Sequence, residues 1–228
     1  MEGWWSVMPE LFVHACRLVR IPEQEEPAER FVAELREQLG PRLTRRMSLL
    51  GLSLTAALRD HSFADDPTLV YTTTFTEAQA LEKYIDSFPH ASPLLFQMSI
   101  HPGGIEQAMI ARQQAVTEFF PLAGDRGIIT QSLRTAFLST RSRTIWTGGE
   151  ECGDWLVEAN CASDQTFAWA LALSDQSEGA EARIGWEIEA GGGNPLTMDT
   201  CQFFAALEAR KSFAWNEPEV GQFHWTWL

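Results

Sequence analysis

A mixed β-sheet with helices on both faces is the α/β fold this 228-residue sequence predicts, and three observations predict it. Through the first two-thirds of the chain, apolar runs of strand length alternate with stretches of helical spacing, the order of βαβ units. Thr68 to Thr74 is rich in β-branched residues and reads as a strand buried on both sides. Ala182-Arg183-Ile184-Gly185-Trp186-Glu187-Ile188-Glu189 alternates apolar with polar or charged residues, as a half-exposed strand does. The apolar share, 45%, is that of an ordinary globular chain and suffices for one large core. No internal repeat or linker divides the sequence, so residues 1–228 are expected to form a single domain.

Taken in order, Leu11 to Val19 reads as the first strand. Pro22 to Pro27 is an acidic loop flanked by prolines. Phe31, Val32, Leu35 and Leu39 recur at helical spacing, and Gly40-Pro41 ends that helix. Thr44 is placed to cap the next helix, whose apolar face carries Met47, Leu50, Leu54 and Leu58. After the turn Asp65-Asp66-Pro67 and the buried strand, Thr76 is placed to cap a helix with Ala80, Leu81, Tyr84, Ile85 and Phe88 facing inward. Downstream, Thr166 to Leu173 reads as a strand joined by the hairpin turn Ser174 to Glu181 to the alternating strand at Ala182. Gly191-Gly192-Gly193-Asn194-Pro195 is a turn. Phe203, Phe204, Leu207 and Lys211 mark a helix, and Phe223 to Trp227 closes the chain as a strand.

The stretch from Ser92 to Glu150 organises the rest. A helical pattern carries Ile105, Ala108, Met109, Ala115 and Val116 on one face. Then come the short apolar run Phe119-Phe120-Pro121-Leu122, the turn Ala123-Gly124-Asp125-Arg126-Gly127, a second helix, and the run Thr144 to Gly149. Strand, sharp glycine turn, helix, strand is the layout in which α/β enzymes present a nucleophile at a helix N-terminus. This turn contains neither Cys nor Ser. Asp125 stands nearest the helix, where a carboxylate suits the helix dipole and reads first as a cap.

Charge and motif content exclude several function classes. A net charge of −14 repels nucleic-acid phosphates, and no basic stripe with interleaved aromatics offsets it. No apolar run approaches the ~18 to 20 residues of a membrane helix, and Met1 to Trp5 lacks the basic start of a signal peptide. A cytoplasmic protein is expected. The four cysteines (Cys16, Cys152, Cys161, Cys201) form no C-x-x-C pair and read as reduced thiols. None of the five histidines has a partner at i+4 on a helix, so no metal site and no cofactor is implied. His101, before Pro102-Gly103-Gly104, reads as a turn-fixing residue or one near a pocket. Gly148-Gly149 precedes no Lys or Ser/Thr of a phosphate loop. Glu150, Glu151 and Asp154 read as a solvated acidic loop or a weak cation cluster. Nine tryptophans exceed what one expects at random and fill either core or a partner surface.

The order of these features resembles a known family. Ser92-Pro93 and its apolar follow-on, Ser99-Ile100-His101-Pro102, a helix, a strand, an elbow, a helix and a strand ending in Gly148-Gly149-Glu150 resemble the N-terminal half of β-ketoacyl synthases, the thiolase-like fold. Arg45 to Leu50, Leu69 to Thr72 and Ala170 to Leu173 fit the same order, so the resemblance covers roughly residues 12–188. It is nearest to the chain length factor subunits of aryl polyene and type II polyketide assembly. It implies a half truncated relative to full ketosynthases. In active members an elbow cysteine is acylated and two histidines of a second half assist. Here Gly124 and Asp125 occupy the degenerate nucleophile position, and the second half has no counterpart.

The resemblance therefore implies a non-catalytic subunit. Its partner would be a catalytic β-ketoacyl synthase in a heterodimer, with an acyl carrier protein reached only through that partner. The strand before the elbow would pair across the two-fold axis. Phe119 and Phe120, with His101 nearby, would wall the partner's acyl tunnel. Two other readings stay open: an independent acyl-thioester enzyme using Asp125, His101 or Cys152, and a scaffold of the biosynthetic complex.

Overall fold

The computed structural model describes residues 9–45, 47–187 and 197–228. Among the described residues, eight strands form one mixed sheet: β1 (Glu10–Arg20), β2 (Thr68–Thr73), β3 (Phe119–Ala123), β4 (Arg143–Glu150), β5 (Phe167–Ser174), β6 (Ala182–Glu187), β7 (Phe213–Glu217) and β8 (Gly221–Trp227). Their order across the sheet is β3-β2-β4-β5-β1-β6-β8-β7. β2 is parallel to both β3 and β4; every other pairing is antiparallel. The predicted mixed sheet with helices on both faces is the fold observed.

Side-chain alternation builds two cores of unequal texture. On one face β4 and β5 project Trp146, Phe167, Trp169, Leu171 and Leu173. Against these pack α7 (Ile128–Leu138) and α9 (Thr200–Glu208), through Ile129, Leu133, Phe203, Phe204 and Leu207. On the other face β5 projects only small residues, Ala168, Ala170 and Ala172. That small-residue floor lets α3 (Leu49–Ala57) lie close to the sheet, with α1 (Glu25–Leu39) and α6 (Gly103–Arg112) beside it. From Leu50 to Ala57 every residue of α3 is buried, as a helix enclosed by sheet and helices must be.

The distal strands are held by rungs of rings. Trp186, Phe223 and Trp215 lie opposite one another on β6, β8 and β7 and stack at 5.5 and 5.1 Å between centroids. Phe213 stacks on Trp225 in the next rung at 5.6 Å. Directly opposed aromatic pairs each add up to about 1 kcal/mol. Tryptophan is thus largely core material here, with Trp146, Trp169, Trp215 and Trp225 fully buried.

Several element readings are corrected. Thr44 does not cap α3; it ends the short α2 (Pro41–Thr44), and the Ser48 hydroxyl accepts the Gly51 N–H instead. Thr76 does not cap α4 (Ala78–Asp86), whose N-cap is Glu77. Leu81, Ile85 and Phe88 face solvent rather than the core. α4 packs against α5 (Pro93–Met98) and α8 (Trp155–Glu158), burying Ala78, Ala80 and Glu82. α5 forms where the sequence pattern assigned no element, with the Ser92 hydroxyl accepting the Leu95 N–H. α6 stops at Arg112 because Gln113 is left-handed, leaving Ala115 and Val116 outside it. α1 begins at Glu25, inside the expected loop. Ser174 to Glu181 is no hairpin: β1 lies between β5 and β6 and pairs with both. Lys211 lies beyond α9, and β7 follows where no strand was expected. Ile188, Glu189 and the 191–195 turn lie outside the described residues, as does Arg46.

Candidate functional site

The elbow forms where β3 leaves the sheet. Gly127, left-handed at φ 67°, is the N-cap of α7. Asp125 is solvent-exposed, two residues before that cap, and no side chain caps the helix; its reading as a cap is corrected. A carboxylate from β7 also approaches the helix start. A Cβ on Gly127 would stand 3.2 Å from the Glu217 carboxyl carbon. Gly127 is therefore favoured by its φ, and a side chain there would also press on the Glu217 carboxyl. One Glu217 oxygen is buried without a hydrogen-bond partner, and burial raises its carboxyl pKa.

No thiol stands at this turn. Cys16 lies on β1 and Cys201 on α9, each with its pKa pushed up to about 11, chiefly by burial. Cys152 follows β4 and is raised too, first by burial and then by Asp154. Cys161 is exposed beyond α8. A nucleophilic thiol needs the opposite shift.

The strand leading to the elbow is an edge. Leu69 donates its N–H to the Glu118 carbonyl, and Gly124 donates to the Thr73 carbonyl. Two-residue alternation between those bonds turns the main-chain groups of residues 118, 120, 122 and 124 toward β2. Those of Phe119, Pro121 and Ala123 face the open side. Pro121 consequently costs β2 no ladder bond, the placement proline requires in a sheet. Phe119 is half-buried and lines a cleft of about 240 Å³ with Leu69, Ile105, Met109, Ile110 and Val116. Phe120 points to the opposite face and is 36% exposed. Ile110, 74% exposed, and Leu138, 71% exposed, flank the edge. The two phenylalanines thus project from opposite faces of one edge strand.

Behind the edge, at the carboxyl ends of β2 and β4, lies a cluster that sequence reasoning missed. Glu77, Glu82, Glu150 and Glu151 are all buried. Glu150 accepts from the Thr73 hydroxyl and from the N–H groups of Thr74 and Phe75. Glu151 accepts from Leu50 N–H at 3.2 Å, Gln79 N–H at 3.0 Å and Ala80 N–H at 3.3 Å, tying the starts of α3 and α4 together. Glu82 takes the N–H groups of Asp154 and Leu156 at α8, and Glu77 takes Gly104 N–H in the first turn of α6. Helix N-termini supply the positive potential that buried carboxylates otherwise draw from a basic side chain. Burial outweighs those donors at Glu150 and Glu151, raising each pKa to about 7. The solvated-loop reading is overturned for Glu150 and Glu151, while Asp154 is exposed as expected, and among the described residues no cluster is arranged to hold a metal ion.

His101 belongs to this cluster rather than to the edge. Its Nδ1 stands 3.7 Å from a Glu77 oxygen, and its ring stacks on Tyr71 at 5.5 Å. The Tyr71 hydroxyl is buried, and burial with Glu77, Glu150 and Glu151 nearby drives its pKa up. The glycines before Glu150 are set by packing: a Cβ on Gly148 would meet the Trp169 ring at 2.3 Å and the Thr72 carbonyl at 2.4 Å. The sequence brings Phe119, Phe120, Gly124 and Asp125 together along one edge. It brings neither His101 nor any cysteine to the elbow. The one available signal for the cluster was Glu150-Glu151 directly after a buried strand.

An open α/β sheet with an edge strand running into an elbow and helix is the thiolase-like arrangement of ketosynthases, and the chain has that fold. The solved structures similar to it include a ketosynthase (ApeO) in complex with its chain length factor (ApeC) from Xenorhabdus doucetiae. That match has a TM-score of 0.64 at 17% identity and covers 97% of this chain and 100% of that one. The ishigamide ketosynthase/chain length factor matches with a TM-score of 0.56 at 12% identity, covering 79% and 68%. A β-ketoacyl synthase from Burkholderia phymatum STM815 matches at 0.53 and 9%, covering 81% and 66%. No family profile and no curated protein matches the sequence.

Proposed function

We propose that this chain is a non-catalytic ketosynthase-like subunit, a chain length factor, that pairs with an active β-ketoacyl synthase and shapes its acyl tunnel in polyketide-type or aryl polyene biosynthesis. The observation that carries the reading is an elbow without a thiol at the end of an unpaired, apolar edge strand. Gly124 and Asp125 hold the position where an acyl-accepting cysteine would stand, and an exposed carboxylate is a poor acceptor for a thioester. The likeness to a ketosynthase bound to its chain length factor supports the same reading.

Mechanistically, the contribution is one of shape. β3 supplies main-chain groups to the partner, and an unpaired edge flanked by Phe120, Ile110 and Leu138 is an aggregation liability until covered. Phe119 or Phe120 would end the acyl tunnel, because a growing chain gains no further apolar burial once it meets a wall. The carrier protein would dock on the synthase, since acidic carrier and acidic subunit repel.

The test is co-expression with a β-ketoacyl synthase from the same genome, followed by size exclusion and product analysis. A one-to-one complex whose products change length when this subunit is omitted is expected. A chain that stays monomeric beside a synthase whose products are the same without it refutes the reading.

A further inference from the structure

The open edge of β3 carries a selection rule in its sequence. Phe119, Pro121 and Ala123 turn their main-chain groups outward, and Pro121 offers a carbonyl but no N–H. Pairing with a second copy across a two-fold axis always brings two prolines into the ladder. With the axis at residue 121, the prolines face each other. The Cα atoms of such a hydrogen-bonded pair lie about 5.5 Å apart, and each ring then fills the space where an N–H···O bond would run. With the axis at residue 120 or 122, Pro121 faces Phe119 or Ala123 of the copy, and each of the two pairs loses one of its two bonds. An unlike strand without proline loses a single bond in all, and Pro121 still accepts one from it. Charge acts in the same direction, because a second copy meets the same net −14 while a less acidic chain does not.

We propose that Pro121 is a partner-selecting residue: it disfavours self-pairing of β3 and keeps the edge for an extended strand of an unlike, less acidic chain. The inference rests on the reading of β3 as the pairing edge and is tested on this chain alone, without the synthase. Sedimentation velocity at about 0.15 M and 1 M salt, the latter shortening the screening length to about 3 Å, compares the native chain with Pro121→Val and Pro121→Thr. The native chain stays monomeric. Each variant regains two ladder bonds and self-associates roughly tenfold to a hundredfold more strongly. Adding Ala123→Pro to either variant removes another outward N–H and restores the monomer. Aggregation reversed by Ala123→Pro supports edge pairing, and aggregation that persists counts against it. A dimeric native chain, or monomeric Val and Thr variants at both salt concentrations, overturns the proposal. Failure of the synthase to bind would instead remove the functional reading and leave this result standing.

Discussion

Glu151→Gln isolates what a buried carboxylate does at the junction of α3 and α4. In the native chain its two oxygens serve three backbone N–H groups. Burial nevertheless raises its pKa from 4.5 to about 7. The folded state therefore favours the protonated form. The stability this provides is complete below about pH 4.5 and is lost as pH rises through about 7. At ~1.4 kcal/mol per pKa unit, ionising the group in place weakens the fold by about 3 kcal/mol. On the order of 2–3 kcal/mol of that falls between pH 5 and 8. Glu150, raised to a similar value, adds a comparable slope. His61 opposes them: burial first, and then Arg112, lower its pKa to about 4, so its contribution is lost as pH falls below 6.5. His61 and Glu150 are common to both proteins and cancel in a comparison.

Glutamine cannot ionise, and its single oxygen serves Gln79 and Ala80 while its NH₂ faces the Leu50 N–H. One opposed donor pair costs about 1–2 kcal/mol at every pH. Urea titrations at pH 5, 6, 7 and 8 and constant ionic strength should therefore show the variant less stable at pH 5. The difference should shift by on the order of 2–3 kcal/mol by pH 8, leaving the variant level with the native chain or more stable than it. A difference that does not change with pH would refute the claim that burial outweighs the three amide donors.

Phe119→Ala and Phe120→Ala should each leave the subunit folded, since both rings lie at the sheet edge. The ring that walls the tunnel should lengthen or blur the products of the complex, read by mass spectrometry; unchanged products from an intact complex would remove that role. Gly148→Ala forces a Cβ to 2.3 Å from the Trp169 ring and 2.4 Å from a backbone carbonyl. It should cost at least about 3 kcal/mol or abolish soluble expression, against which a normal thermal melt would count. Iodoacetamide at pH 7.5 should label exposed Cys161 long before Cys16 and Cys201, whose pKa values near 11 leave little thiolate. Rapid labelling of either of these partly buried thiols, followed by peptide mapping, would contradict their placement.

The sheet was legible in the sequence because its strands are bounded runs of β-branched and apolar residues, Thr68–Thr73 and Phe167–Ser174 above all. Strand neighbours were not, since local pattern does not reveal that β1 inserts between β5 and β6. β7 escaped because Phe213, Trp215 and Glu217 follow a helix closely enough to read as its continuation. The empty elbow was legible because it depends on which residue types are present, a glycine turn and no cysteine, whereas the edge was expected only from the resemblance. The glutamate cluster was not, and α4 shows why. Helical periodicity placed Leu81, Ile85 and Phe88 inward, yet Glu82 is the residue buried. Its carboxylate is drawn in by the N–H groups of Asp154 and Leu156, more than 70 residues away in sequence. A hydropathy pattern counts a carboxylate as solvated because it cannot know that a distant helix start will supply its donors. Other distant donors, Thr73, Thr74 and Phe75 for Glu150 and Leu50, Gln79 and Ala80 for Glu151, turn this pair from a surface loop into a clamp over the ends of β2 and β4.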